Sequence, residues 1–322
     1  MRRTSILFIY IALTMLSGCS LYRQYEREQM PFVDSLYRRM SVPSDSVSSA
    51  SVTWDKFFTD PLLQEWIRTG LEYNSDLNIA RLKVQEAEAS LLAARWAWLP
   101  GADFSMQGGL PGQFSASVQA SWQTDIFGGL RNAKRRAQAA LEQSHAYRQA
   151  VQTQLVATIA NSYYTLLMLD EQLTISNRTL KTWEESIRTL EALKRAGKTN
   201  EAAVLQAKAN MLDVQNSIYV LHKKTFETEN AFSSLIGIVP IIIDRGTLEG
   251  QEFIEHLSGG LPAEIPGNRL VVMQAELQLK QAFYATNQAR ASFYPTVKLD
   301  GCLRFDPSGF ITDLGASLLQ PL

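Results

Sequence analysis

Cysteine, histidine and net charge are all scarce in this sequence, and each shortage excludes a class of function. The 322 residues contain two cysteines, Cys19 and Cys302, and three histidines, His145, His222 and His256. No histidine lies at metal-ligand spacing from a cysteine or from another histidine, so no metal site is predicted. The 31 basic and 32 acidic residues nearly cancel, so no overall field attracts a nucleic acid.

Long apolar runs are also missing from the body of the chain. The longest candidate, Ile236 to Ile243, is interrupted by Pro240 and is much shorter than the roughly 18 apolar residues of a transmembrane helix. If the body of the protein enters a bilayer, it must therefore do so as β-structure.

Signs of catalysis are missing as well. The neighbouring carboxylates Glu184-Glu185 and Glu227-Glu229 have basic residues close by on predicted helices, which indicates a solvated face rather than an acid and base pair. The glycine-rich stretches lack the lysine of a phosphate loop. The sequence therefore predicts no enzyme and no cofactor.

The N-terminus has the pattern of an exported lipoprotein. Arg2 and Arg3 precede the apolar run Ile6 to Leu16, which has the length of a signal-peptide core. The run ends in LSGC, which resembles a bacterial lipobox and marks residues 1–18 as a signal peptide, with Cys19 as the lipidated first mature residue. The alternative is an ordinary core cysteine after an uncleaved anchor. Acyl chains on Cys19 would hold the N-terminus to a membrane.

A heptad stripe occurs twice, 195 positions apart, and each copy ends before a proline. This spacing predicts two coiled-coil-like helices, 62–99 and 268–294, each opening one copy of an internal repeat. The first stripe is Leu77, Ala80, Val84, Ala87, Leu91, Ala94 and Trp98; the second is Val272, Ala275, Leu279, Ala282, Thr286, Ala289 and Phe293.

After each proline the period changes to two, which predicts β-hairpins over 100–124 and 295–322. Apolar and aromatic residues alternate there with small polar ones, as in Phe104-Ser105-Met106. This is the pattern of transmembrane barrel strands; a soluble sandwich is the alternative. Four strands cannot close a barrel, so the pattern also predicts that other chains supply the remaining strands.

A long helical hairpin is predicted over 125–236. Nothing breaks a helix between Leu130 and about Ala196, where Gly197 provides a C-cap. Thr199 or Asn200 then caps a returning helix that begins at Glu201 and ends at Gly237. The remaining segments, an extended lead-in at 19–61 and a connector at 237–267, are predicted to be irregular.

A basic cluster, Arg131, Lys134, Arg135 and Arg136, lies at the start of the long helix, against the preference of the helix dipole. Solvent, a polar tunnel wall and a subunit contact all remain open as its surroundings.

Eight stretches in this order resemble the TolC-like outer-membrane factor family, in particular its OprM/NodT-type efflux lipoproteins. The matching stretches are LSGC, WDKFFTDPLLQEWI, NSDLNIARLKVQEAEA, LPGADFS, DIFGG, KRAGKTNEAAVLQAKANML, SSLIGIVP and QARASFYPTVKLDG. The resemblance implies a mainly α fold with β-structure, in which long coiled-coil-like helices form part of a trimeric α-barrel. Four strands per chain would contribute to a shared transmembrane β-barrel.

The resemblance also implies the function and the partners. The protein would be a homotrimer in the outer membrane of a Gram-negative bacterium, lipid-anchored, extending into the periplasm, and acting as the passive exit duct of a tripartite efflux system. Its partners would be outer-membrane lipid, a periplasmic adaptor and an inner-membrane pump of the resistance-nodulation-division type. The adaptor would dock at the hairpin tip, Ala196, Gly197, Lys198, Thr199 and Asn200.

The repeat also predicts a second helical hairpin after the fourth strand. On this reading the chain is truncated at its C-terminus by about 110 residues. Two alternatives to the duct stay open: a lipid-anchored coiled-coil structural protein of the envelope without a pore, and a non-functional truncated product.

Overall fold

A computed structural model of the protein describes residues 24–27, 53–108, 114–251, 269–306 and 309–319. These residues belong to two compact units. The first, called here the sheet unit, contains residues 83–147 and 269–322; the second, called the connector unit, contains residues 36–82 and 148–268. Residues 1–35 are grouped with the sheet unit, and of them the structure describes 24–27.

The helices of the described part are α1 (Trp54–Phe57), α2 (Pro61–Tyr73), α3 (Ser75–Trp96), α4 (Gly129–Arg195), α5 (Glu201–Ile236) and α6 (Leu270–Ala291). A short 3₁₀ turn covers Leu248–Gly250. Helix α4 is continuous over 67 residues, which corresponds to a length of about 100 Å. The mainly helical fold with four strands agrees with the prediction from the sequence.

The prediction of one unbroken helix over 62–99 is wrong, because the chain breaks at Asn74. Asn74 has an extended backbone, and its side-chain oxygen accepts a hydrogen bond from the Leu77 amide at 2.8 Å. Its side-chain nitrogen donates to the Leu235 carbonyl at 2.7 Å. Asn74 therefore ends α2 and caps α3, because asparagine competes well for backbone groups at a helix start.

One antiparallel sheet contains all four strands, β1 (Gly101–Gly108), β2 (Phe114–Thr124), β3 (Thr296–Asp306) and β4 (Gly309–Leu319), in that order. The register pairs Phe104 with Val118 and Val118 with Leu303. Strand β3 pairs with β4 from Thr296–Leu319 to Asp306–Gly309. The β2–β3 pairing joins the two sequence repeats into a single sheet.

The connector unit has an apolar core centred on α4 and α5. Tyr163 and Phe232 are its largest fully buried side chains. The core packs these with aliphatic residues from α2, α3, α4, α5 and the segment after α5: Leu63, Ile67, Leu77, Leu155, Val156, Ile159, Ala160, Leu166, Leu167, Ile236 and Ile243. The side of α5 that carries Ala207, Ile218 and Phe232 is buried, as expected for an amphipathic helix that packs one face against a core.

Gly237 ends α5 in a conformation that other residues rarely adopt. Its φ is +79°, and its amide donates to the Ser233 and Ser234 carbonyls. A Cβ at this position would lie 2.6 Å from the Tyr73 carbonyl oxygen, a backbone atom that cannot move aside. Glycine is therefore required both by the left-handed backbone and by the close approach of the chain at Tyr73.

Candidate functional site

The sheet has one continuous apolar face, and that face is open. Because the register aligns alternate residues of neighbouring strands, the large apolar side chains of β1, β2 and β3 project together. Each is between 38% and 67% exposed: Phe104, Met106, Phe114, Val118, Trp122, Leu299, Leu303 and Phe305. An exposed apolar surface of this kind marks contact with a partner or with lipid.

The opposite face of β1, β2 and β3 is polar. The hydroxyls of Ser105 and Ser117 form a cross-strand hydrogen bond of 2.7 Å, and Lys298 forms an ion pair with Asp300 at 3.2 Å. One face of the sheet is thus suited to an apolar environment and the other to water. The predicted alternation is confirmed for β1, β2 and β3.

A carboxylate caps the start of α4, where the chain leaves the sheet. The two oxygens of Asp125 accept hydrogen bonds from the Leu130 amide at 3.0 Å and from the Arg131 amide at 2.8 Å. Gly128 has a φ of +75°, which turns the chain into the helix. Asp125 thus places negative charge at the helix N-terminus, where the macrodipole favours it.

Exposure to solvent explains how the basic cluster is tolerated in the first turns of α4. Arg131, Lys134 and Arg136 are exposed, and the Arg135 guanidinium lies 6.0 Å from the ring centre of Tyr284. Water screens the exposed cations, so their unfavourable position on the helix dipole costs little.

The predicted hairpin tip is an open, capped turn. Gly197 has a φ of +72°, and the amides of Gly197 and Lys198 donate to the carbonyls of Lys194 at 3.0 Å and Leu193 at 2.9 Å. The turn therefore ends α4 with hydrogen bonds to its last carbonyls.

Asn200, rather than Thr199, caps the returning helix. Its side-chain oxygen accepts from the Ala203 amide at 3.0 Å. Ala196, Gly197, Lys198 and Asn200 are exposed, and Thr199 is half-buried. All five residues of the predicted tip are thus at least partly accessible to solvent.

Ion pairs hold α4 and α5 together next to the turn. Lys194 pairs with Glu201, and Lys208 pairs with Glu191 at 2.8 Å. The hydrogen bond and the charge of Lys208 lower the pKa of Glu191. Both pairs lie on the surface, so each is expected to stabilise the hairpin only weakly.

An ionic cluster in the connector unit was not predicted from the sequence. Arg245 binds Asp170 through two nitrogens, at 2.5 and 3.0 Å, and binds Glu229 at 2.5 Å. The hydrogen bond to Asp170 raises the pKa of Arg245, partial burial opposes this rise, and Glu229 adds to it. The cluster ties the segment after α5 to both long helices.

The sequence interpretation of Glu229 as part of a solvated face is therefore wrong. Its side chain is 14% exposed and faces Arg245. The helical pattern does not reveal this contact, because Arg245 lies 16 residues beyond Glu229, in a segment without regular structure, and the other carboxylate of the cluster, Asp170, is 75 residues away.

A second polar cluster fixes the start of α2. Asp60 accepts hydrogen bonds from the Tyr163 hydroxyl at 2.7 Å, the Gln251 side chain at 2.9 Å and the Leu62 amide at 2.9 Å. Partial burial acts against ionisation of Asp60, but these bonds outweigh it and lower the pKa. Burial, followed by the effect of Asp60, raises the pKa of Tyr163.

The remaining predictions concern the histidines, Cys19, metal ligands and membrane-spanning helices. His145 and His222 are exposed, while Cys19 and His256 lie outside the described residues. Within the described ranges, no group of three or more His, Cys, Asp or Glu side chains is placed to hold a metal ion. None of the helices in the described part is both long and apolar enough to cross a membrane.

Comparison with known proteins identifies the family. The family model described as outer membrane efflux protein matches residues 66–238. The probable outer membrane lipoprotein SilC of Salmonella typhimurium is 30% identical over 298 residues, and the cation efflux system protein CusC of Escherichia coli K12 is 30% identical over 303 residues. Each alignment covers 88% of this chain and 65% of the relative, so the chain spans about two thirds of the length of these relatives.

Solved structures agree with the sequence comparison. A crystal structure of CusC superposes with a TM-score of 0.77 at 26% identity, covering 94% of this chain and 73% of that one. The open state of the MtrE outer membrane channel of Neisseria gonorrhoeae superposes with a TM-score of 0.78 at 27% identity, with the same coverage. The chain therefore belongs to the outer membrane efflux protein family and is a protein of the bacterial outer membrane.

Proposed function

We propose that the protein is the outer-membrane subunit of an exit duct in a tripartite efflux system. Three copies would join their sheets into one transmembrane β-barrel and their long helices into a tunnel that extends into the periplasm. Small molecules would pass through the duct without a chemical reaction. Catalysis is not needed for this role, because the duct supplies only a path and the pump supplies the driving force.

The single observation that carries this proposal is the two-sided sheet. Its exposed apolar face suits lipid, and its polar face suits a water-filled lumen. A four-stranded sheet has two open edges, which lipid does not tolerate, so other subunits must pair with those edges. A coiled-coil structural protein without a pore has no use for such a sheet.

Conductance in a planar bilayer tests the duct directly. We expect protein purified from outer membranes to migrate as a heat-sensitive oligomer and to produce discrete conductance steps. A monomeric protein that never conducts would contradict the proposal. Export should also return when the gene is expressed, with its own adaptor and pump, in a strain that lacks an outer-membrane channel.

We further propose that the turn Ala196, Gly197, Lys198, Thr199 and Asn200 binds the periplasmic adaptor. The exposed position of the turn and its rigid caps support this assignment, because a preorganised turn loses little entropy on binding. The exposed cation of Lys198 gives the turn a charge that can be tested.

Charge reversal at Lys198 should weaken adaptor binding. We expect Lys198→Glu to lower the affinity about threefold to tenfold, measured with the purified adaptor, because a rim charge acts mainly on association. Lys223→Glu, at an exposed cation elsewhere on the hairpin, is the matched control. Equal affinities for both variants and the unchanged protein would remove Lys198 from the docking site.

Lipid on Cys19 is the third part of the proposal. Growth with a labelled fatty acid should label the protein, and Cys19→Ala should abolish the label while Cys302→Ala leaves it. An inner-membrane pump of the resistance-nodulation-division type is the expected energy source, reached through the adaptor.

The names of the relatives suggest that the outer-membrane subunit does not select the cargo. Relatives between 27% and 30% identical are named for cation, antibiotic and toluene efflux. Selection by the pump and the adaptor explains why similar ducts carry such different names.

A further inference from the structure

A groove at the edge of the sheet collects three cations. Arg95 lies in the last turn of α3, and Arg131 and Lys134 lie in the first two turns of α4. Together with Trp98 and Asp125, these side chains line a groove of about 170 Å³. All five residues belong to the sheet unit. The groove is called here the basic groove.

The three cations of the basic groove are not paired with carboxylates of the described part of the chain. Elsewhere the same helix takes part in ion pairs, as between Lys280 and Glu142 at 2.8 Å. None of the ion pairs between described residues involves a cation of the groove. Asp125 also lines the groove, but its two oxygens accept hydrogen bonds from the amides of Leu130 and Arg131. The groove therefore keeps a net positive charge.

The basic groove opens on the side of the sheet that carries the apolar face. Trp122, near the end of β2, is part of that face, and its indole nitrogen donates to the Trp98 carbonyl at 3.1 Å. The Trp98 side chain is 65% exposed and forms one wall of the groove. The cations thus lie beside the surface that suits lipid rather than beside the polar face.

Exposed aromatic side chains mark the same level of the sheet in both repeats. Trp96 and Trp98 come shortly before β1, and Phe293 and Tyr294 come shortly before β3. Aromatic residues with a polar group collect where a bilayer meets water, because the ring suits the acyl chains and the polar group suits the headgroups. The ends of the strands next to the basic groove therefore have the composition of a membrane boundary.

The length of the first turns of α4 fits the headgroup layer. Helix α4 begins at Gly129, and Lys134 follows five residues later. Five residues advance a helix by about 7.5 Å, and the headgroup layer on one side of a bilayer is about 5–8 Å thick. If the strands end where the hydrocarbon ends, Arg131 and Lys134 lie at the depth of the lipid phosphates.

We propose that the basic groove binds the headgroup phosphate of an anionic phospholipid in the periplasmic leaflet of the outer membrane. The acyl chains of this lipid would follow the apolar face of the sheet, past Trp98 and Trp122. The leaflet is the periplasmic one because α4 begins at the groove and continues away from the sheet into the periplasm. The inference rests on the proposed function in so far as the apolar face must lie in lipid.

The side chains of the groove favour a headgroup without a cation of its own. The guanidinium groups of Arg95 and Arg131 can each offer a phosphate two parallel hydrogen bonds, and Lys134 adds a point charge. A zwitterionic headgroup carries an ammonium group, which the same three cations repel. An anionic headgroup such as glycerol phosphate carries none, so the groove should prefer phosphatidylglycerol to phosphatidylcholine.

Native mass spectrometry of protein purified from outer membranes tests this preference. After removal of copurified lipid, the protein in detergent is titrated with phosphatidylglycerol and with phosphatidylcholine of the same acyl chains. We expect tighter binding of phosphatidylglycerol. Glycerol 3-phosphate, which has the headgroup charge without the chains, should not displace the lipid. Displacement at equal concentration would identify a site for soluble phosphates and overturn the lipid assignment.

Two substitutions on α4 separate the groove from the general charge of the helix. Arg131→Gln and Lys134→Gln should each reduce the preference for phosphatidylglycerol about fivefold, because a cation near a membrane surface contributes about 1 kcal/mol. Arg136→Gln is the matched control. Arg136 is exposed but lies about 200° around the helix from Lys134 and does not line the groove. We expect it to leave the preference unchanged.

Two further variants distinguish charge from contact with the acyl chains. Arg131→Lys keeps the charge and should retain most of the preference. Trp98→Ala should weaken the binding of both lipids equally, because Trp98 contacts the chains that the two lipids share. Trp98 is an exposed residue, so its loss should leave the fold intact.

The outcomes separate this inference from the duct itself. A conducting protein that binds the two lipids equally, or that loses the preference as much with Arg136→Gln as with Lys134→Gln, would overturn the inference and leave the duct intact. Loss of the oligomer in Lys134→Gln with the lipid preference retained would assign the cation to a subunit contact and also overturn it. A preference confined to the groove in a protein that never conducts would support the inference and contradict the duct.

Discussion

Phe104 in the sheet and Phe232 in α5 are the same kind of side chain in opposite surroundings. Phe104 is 67% exposed, whereas Phe232 is 0% exposed and stacks edge-on against Trp66 with 5.9 Å between ring centres. Packing within the connector unit removes Phe232 from water. No described residue does this for Phe104, and under the proposed function the lipid does.

This difference indicates that the connector core contributes to folding stability, whereas the apolar face of the sheet contributes to membrane insertion. Substitutions in the connector core should change the free energy of unfolding, because they create cavities. Substitutions on the apolar face of the sheet should change insertion into the membrane, because they alter transfer into lipid. Four variants, each with a neutral or matched partner, test this separation.

The largest effect is expected at Phe232. Phe232→Ala should lower the free energy of unfolding by about 3–5 kcal/mol, because it empties the centre of a packed core. Phe226→Ala, at a 65% exposed position of the same helix, should change it by no more than about 0.5 kcal/mol. Denaturant unfolding of the purified protein measures both. Equal losses would mean that the core does not stabilise the connector unit.

The next largest effect is expected in the sheet. Val118→Arg places a charge on the apolar face and should cost about 2–4 kcal/mol of membrane insertion if the residue lies near the bilayer centre. Gln119→Arg places the same charge on the polar face, opposite Asp103 and Cys302, and should be tolerated. The fraction of protein in the outer membrane measures both. Equal tolerance would contradict the assignment of the two faces.

Arg245 should have an intermediate effect on folding. Arg245→Met leaves Asp170 and Glu229 without their cation, which should cost about 1–3 kcal/mol, less than a fully buried pair because Asp170 is 40% exposed. Lys223→Met, which breaks the exposed pair with Glu227, should cost about 0–0.5 kcal/mol. If both variants unfolded at the same denaturant concentration, the cluster would have no structural role.

Substitution of Asp60 should have the smallest effect on the free energy of unfolding, and this effect should depend on pH. Asp60→Asn should cost about 1 kcal/mol at neutral pH, because the amide has only one accepting oxygen, whereas the carboxylate accepts from the Leu62 amide with Oδ1 and from Tyr163 and Gln251 with Oδ2. The lowered pKa of Asp60 in the folded state means that the carboxylate stabilises the fold above the unfolded value of about 3.9.

This stabilisation is lost as the pH falls through the lowered pKa. The difference in the free energy of unfolding between Asp60→Asn and the unchanged protein should therefore become smaller below about pH 4. Unfolding curves across pH 2 to 7, with the exposed Asp213→Asn as a control for charge, test this. A gap that stays constant across the range would show that ionisation of Asp60 does not stabilise the connector unit.

Local signals explain which parts of the fold could be predicted from the sequence. Gly197 and Gly237 end helices where the sequence places their ends, because a left-handed backbone strongly favours glycine. The period-two pattern predicted the strands, because it reflects which side chains share a face. These features depend on residues that are neighbours in the chain.

Features that depend on distant residues could not be predicted. The break at Asn74 is stabilised in part by the Leu235 carbonyl, 161 positions away. The Arg245 cluster joins three separate segments. The two heptad stripes have the same spacing, but neighbouring helices decide which of them is buried. Periodicity reveals that a face exists and leaves open what covers it.

Spin labels at successive positions of β2 would test the central claim most directly. With the protein in lipid bilayers, paramagnetic resonance compares collisions with apolar oxygen and with a water-soluble nickel complex. The account predicts that labels at positions 116, 118, 120 and 122 favour oxygen and that labels at 115, 117, 119 and 121 favour nickel. Accessibility without this alternation would contradict a sheet that separates lipid from water.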